Sequence, residues 1–139
     1  FLDVSPLADG HVLVGPEAHV ARVEDLSEDA AAALFRAVTG LAGHVRAAVG
    51  AAGSTIGINN GEATGQTVPH VHVHIVPRWE GDGASSVHGI FRAGARRPVG
   101  EIGEAIRGRI AGRSRSSRRW VVRSRLDIAI SARCLTQPE

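Results

Sequence analysis

Apolar positions recur along this chain with two different periods, and the change of period marks out its elements. Leu34, Val38, Leu41, Val45 and Val49 are separated by four, three, four and four residues, the spacing of one face of an α-helix. Asp25 and Glu28 stand ahead of them at capping-box spacing, and Gly50 and Gly53 follow, so an Ala-rich helix of roughly twenty residues is predicted. The period falls to two in Pro69-His70-Val71-His72-Val73-His74-Ile75-Val76-Pro77-Arg78-Trp79, the alternation of a half-buried strand. His11-Val12-Leu13-Val14-Gly15 reads as a short buried strand closed by Pro16, and Thr55-Ile56-Gly57-Ile58-Asn59 reads as a strand. Phe1-Leu2-Asp3-Val4 resembles a strand end, followed by the turn chemistry of Ser5 to Gly10. Residues 80–98 are Gly-rich and read as loop, while Ile102, Ile106 and Ile110 suggest a short helix. Strands and helices without regular βαβ alternation predict an α+β fold with a mostly antiparallel sheet.

Composition narrows the chemistry. At 139 residues the chain has room for one domain. It contains no Lys, so all sixteen of its positive side chains are Arg; P-loop and Schiff-base mechanisms are thereby excluded. The net charge of +2 hides an asymmetry. Residues 1–106 carry seven Arg against twelve acids, a net −5, and residues 107–139 carry nine against two, a net +7. The basic character therefore belongs to the tail, and the body shows no basic face for nucleic acid. The lone Cys134 excludes an intramolecular disulfide and an all-thiolate metal site. No apolar run reaches the ~18 residues of a membrane span.

The alternating strand holds the sharpest signal. His70, His72 and His74 project from one face at about 7 Å spacing, while Val71, Val73 and Ile75 project from the other. Two chemistries use such a row. Imidazoles bind metals, yet the residues that follow are Ile75, Val76, Pro77 and Arg78, with no carboxylate before Glu80. Alternatively, a neutral imidazole attacks phosphorus while its neighbours offset the developing charge. The loop before the strand favours the second. Gly57, Gly61 and Gly65 let backbone N–H groups approach an anion, and Asn59, Gln66 and Thr67 add neutral donors.

His70-Val-His-Val-His74-Ile-Val76 resembles the signature of the histidine triad (HIT) superfamily, His-φ-His-φ-His-φ-φ with φ apolar. Phe1 to Pro6, Gly10 to Val14 with Pro16 to Val20, and Asn59 to Val68 resemble further family blocks in the expected order, over roughly residues 1–106. The resemblance implies a HIT-like domain over 1–111, lacking its first strands, with a short C-terminal helix and an unmatched Arg/Ser-rich tail over 112–139. It implies a nucleotidyl hydrolase or transferase acting at the α-phosphate of a purine nucleotide, through a nucleotidyl-histidine intermediate. The bonds cleaved would be the anhydride of a dinucleoside polyphosphate or the P–N bond of a phosphoramidate.

By that resemblance His72 is the nucleophile, the carbonyl of His70 holds its other ring nitrogen, and His74 contacts phosphate oxygens. His11 supports the triad from a neighbouring strand. Asp3 and the backbone at Val4 take the ribose hydroxyls, and Asn59, Gly65, Gln66 and Thr67 face the phosphate and leaving group. No cofactor is expected. Some relatives bind structural zinc through a Cys-x-x-Cys pair and two histidines matching His19 and His70; those cysteines are absent, which speaks against such a site. A homodimer in the cytoplasm, with no membrane partner, is expected. Contact of the basic tail with nucleic acid is a less favoured reading. The alternative function is a purine-nucleotide-binding or protein-interaction module of the same fold with little turnover.

Overall fold

A computed structural model describes residues 1–90 and 97–113. Three strands form its sheet: β1 (Val12–Val14), β2 (Gly53–Gly57) and β3 (Val73–Arg78). Their order is β1-β3-β2, and both pairings are antiparallel. Helix α1 (Glu28–Ala48) connects β1 to β2. The β-branched Val73, Ile75 and Val76 suit the central strand. Pro77 is tolerated there because the ladder with β1 stops at Ile75, leaving β3 an edge on that side. The architecture is the α+β arrangement that the two periods predict.

Helix α1 is buried along one stripe. Leu34 and Val38 meet Val71, Val73 and Ile75 of the central strand segment in one core cluster. Each such side chain stabilises the fold by about 1.5–3 kcal/mol when fully buried. The stripe differs from the expected one at two positions: Leu41 is 41% exposed, with Ala42 packing against the core instead, and Val49 is the C-cap rather than a helical residue. The helix start also differs. Ser27 is the N-cap, its hydroxyl accepting from Ala30 N at 3.2 Å, whereas Asp25 ends a separate 3-10 turn. Because Asp25 is taken up in that turn, the cap falls to Ser27, two residues later, whose side chain is equally competent. At the other end Gly50 adopts φ +65°. The bonds Gly50 N to Ala47 O and Ala51 N to Arg46 O close a Schellman motif there.

Other boundaries shift. The ladder begins at Val73 rather than Pro69, so among the three histidines only His74 lies inside it. The segment at 55–59 pairs over Gly53–Gly57. Leu2 makes a single bridge to Val12. A four-residue helix, α2 (Val87–Ile90), stands within the stretch read as loop. The isoleucines at 102, 106 and 110 do lie on a helix, α3 (Val99–Arg113). It falls in the second of two compact units, Phe1–Phe91 and Arg92–Glu139. Most of the basic tail lies outside the described residues, and no helix among those described is long and apolar enough to cross a membrane.

Candidate active site

The alternation of β3 continues upstream of its ladder. Val71, Val73 and Ile75 are at most 1% exposed on the core side, which leaves His72 and His74 on the opposite side. Across the ladder His74 pairs with Leu13 on β1 and with Gly57 on β2. A side chain at Gly57 would meet nothing, so that flank of the imidazole is open. The rings of His72 and His74 sit edge to face with centroids 4.9 Å apart.

The proton positions follow from partners that can play only one part. His72 Nδ1 lies 2.8 Å from the His70 carbonyl oxygen. A carbonyl only accepts, so Nδ1 carries the hydrogen and Nε2 keeps its lone pair. Leu7 N donates to His11 Nδ1 at 3.2 Å, so in neutral His11 the hydrogen sits on Nε2. That nitrogen lies 2.9 Å from His74 Nδ1 and donates to it. His74 must then carry its own hydrogen on Nε2, a buried atom with no partner among the described residues. The result is a lone pair on His72 Nε2 beside an N–H on His74 that has no partner among the described residues.

Burial favours this neutral state. His11 is 1% exposed. Desolvation pushes its imidazole below the usual histidine range; nearby Asp3 opposes the shift, and His72 adds to it. His74 is lowered for the same leading reason, with His72 and His11 adding to the effect and Asp3 opposing it. Asp3 itself is tied to this region through its backbone, Asp3 N donating to His11 O at 3.0 Å. One carboxylate oxygen accepts from Ser5 N at 2.8 Å, and the other lies 3.4 Å from His11 Nδ1.

The HIT domain matches residues 1–81. The chain belongs to the HIT domain family. It is 43% identical over 82 residues to the bis(5'-nucleosyl)-tetraphosphatase (asymmetrical) of Schizosaccharomyces pombe, covering 59% of this chain and 45% of that one. It therefore spans less than half the length of that relative. Among solved structures, SMU.412c from Streptococcus mutans UA159 superposes with a TM-score of 0.68 at 36% identity, over 79% of this chain and 69% of that one. A HIT family member from Bacillus subtilis gives 0.67 at 36% identity, over 84% and 82%.

With the HIT family as frame, the remaining expected residues divide. Asp3, His11, His72 and His74 converge. His70 contributes its carbonyl, but its ring turns away. His70 Nε2 donates to Pro16 O at 3.0 Å, and the ring stacks on His19 at 5.4 Å. Val4 is 97% exposed. On the loop, Gly65 and Thr67 are exposed, Asn59 is half-buried, and Gly65 takes the left-handed φ +89° that a glycine permits. Gln66 is the exception. Its amide is engaged within the protein, accepting from Gly61 N at 2.7 Å and donating to Ala21 O at 2.8 Å. Sequence spacing carries no signal for that pairing, since Ala21 contributes only its backbone. Nor does it reveal the Leu7 amide that sets the His11 tautomer.

Among the described residues, metal ligation has two candidate places. Asp3, His11 and His74 can each bring one donor atom within 4.8 Å of the others. Those donors are suitable in kind, but both His11 nitrogens are already engaged, with Leu7 N–H and with His74. At the second place His19 Nδ1 and His70 Nδ1 converge to 3.4 Å. They supply half of a tetrahedral zinc set. No thiolate completes it among the described residues, since the single cysteine is Cys134. The pair does not fit a structural zinc site by itself.

Proposed function

We propose that this HIT domain is the catalytic part of a nucleotidyl hydrolase or transferase that cleaves at the α-phosphate of a purine nucleotide. The observation that carries the reading is the 2.8 Å contact of His72 Nδ1 with the His70 carbonyl, which leaves Nε2 as a fixed lone pair. His72 Nε2 attacks the α-phosphorus, and the bond to the leaving oxygen or nitrogen breaks with its electron pair. A nucleotidyl-histidine forms, and water then displaces His72 to release the nucleotide. His74 Nε2–H, its tautomer set by the chain from Leu7 through His11, donates to a phosphoryl oxygen as charge builds. Asp3, whose side chain is 19% exposed, takes the ribose hydroxyls in this reading. None of these steps calls on a metal. The name of the Schizosaccharomyces pombe relative supports a dinucleoside polyphosphate as substrate.

The test is incubation with a diadenosine polyphosphate and with an adenosine phosphoramidate, followed by intact-mass detection of adenylylated protein. Label on His72 and turnover unaffected by chelator are expected. Preference between the two substrates identifies the bond cleaved. Nucleotide binding without label or turnover would instead support the binding-module reading.

A further inference from the structure

We propose that Gln66 is a positioning residue for His72, holding the His70 carbonyl in place rather than touching substrate. The orientation of its amide is fixed by its partners. Gly61 N–H can only donate, so Oε1 faces it at 2.7 Å. Ala21 O can only accept, so Nε2 faces that at 2.8 Å. The same Nε2 reaches the His70 carbonyl at 3.4 Å. This is the oxygen that receives the Nδ1–H of His72. The carbonyl is thus approached by two donors, one from the ring it orients and one from a side chain anchored at two further points.

Three segments meet at this amide. Gly61, at φ +104°, is the tight corner of the loop; Ala21 lies on the strand-to-helix connection; His70 opens the histidine segment. For Gln66 to bond a phosphate it would have to abandon contacts at 2.7 and 2.8 Å. A second amide supplies an internal comparison. Asn60 also ties the loop to the connection, accepting from Val23 N at 3.0 Å and donating to Glu24 at 2.8 Å, with no contact to His70. Asn60 anchors the loop; Gln66 anchors the loop and steers His72. A small displacement of a reacting group costs on the order of 10²-fold in rate, so the second anchor matters for chemistry.

The inference rests on His72 as nucleophile, and its primary readout needs no turnover. The full chain is prepared with labelled histidine as wild type, Gln66→Met, Gln66→Glu and Asn60→Ala, and the His72 Nδ1–H resonance is followed by NMR. Methionine removes every hydrogen bond. Glutamate keeps the acceptor for Gly61 N–H but sets a carboxylate against two carbonyls, and it serves if the methionine variant does not fold. Both Gln66 variants are expected to shift or broaden the His72 resonance, while Asn60→Ala leaves it in place. Single-turnover labelling of His72 should fall about ten- to a hundredfold, with the Kd for AMP changed less than about twofold. An unchanged His72 resonance with weakened AMP binding makes Gln66 a ligand contact and overturns the proposal. So does an equal change in Asn60→Ala, which makes it a general loop prop. Wild type that never labels but shows the expected resonance changes sinks the catalytic reading alone.

Discussion

Two imidazole pairs in this molecule have almost the same geometry and opposite settings. His11 and His74 stack at 5.2 Å and 26°, His19 and His70 at 5.4 Å and 28°. The first pair includes a ring 1% exposed and has both members' pKa values lowered by burial. The second includes an exposed His19 and a ring braced on the Pro16 carbonyl. Ring stacking therefore does not decide what a histidine pair can do. Desolvation keeps a ring neutral, and fixed backbone donors and acceptors choose which nitrogen holds its proton. His72 touches both pairs, edge to face with His74 and hydrogen-bonded to the backbone of His70.

Substitutions can break this contrast, and the largest effect is expected at the residue that joins the two pairs. His72→Ala should lower turnover at least about a thousandfold while AMP binding survives; near-normal turnover would refute the nucleophile assignment. Next comes the buried pair. His11→Ala removes a packed ring and the donor to His74, at a cost of about 2–3 kcal/mol in chemical denaturation. Turnover should fall about 10²-fold with it.

The pH dependence sharpens the same contrast. His11 and His74 have native pKa values below the unfolded 6.5. On acidification the unfolded chain takes up protons first. Stability from these groups is whole above about pH 6.5 and falls as pH drops from there through the native values. Denaturant midpoints measured from pH 8 to 5 should show that slope, and His11→Asn should flatten it. The smallest effect belongs to the exposed pair. His19→Ala should change stability by less than about 0.5 kcal/mol and turnover by less than about twofold; a larger loss would give His19 a part in holding the His70 segment.

How far the sequence could be read depended on whether the interaction was local. The period-two run placed Val71, Val73 and Ile75 in the core and three histidines on the other side, because side-chain direction in extended chain follows from backbone geometry alone. The α1 stripe was legible for the same reason, apart from Leu41, which is exposed, and Val49, which caps the helix. The N-cap was misread because Asp25 and Ser27 are both competent, and only the fold decides which begins the helix. Gln66 was legible as a polar group beside the histidines but not as a tie, since its partner Ala21 offers a carbonyl that every residue has.

The sequence by itself determined the order of the three strands with α1 and α3, the two faces of β3 and the family to which the chain belongs. Each of these is written in side-chain type and spacing. Only the tertiary structure decided where the protons lie. The Leu7 amide selects the tautomer of His11, His11 selects that of His74, and the Pro16 carbonyl turns the His70 ring aside. Backbone donors and acceptors brought in from distant segments make those choices, and no pattern of residue types encodes which of them will arrive at a given nitrogen.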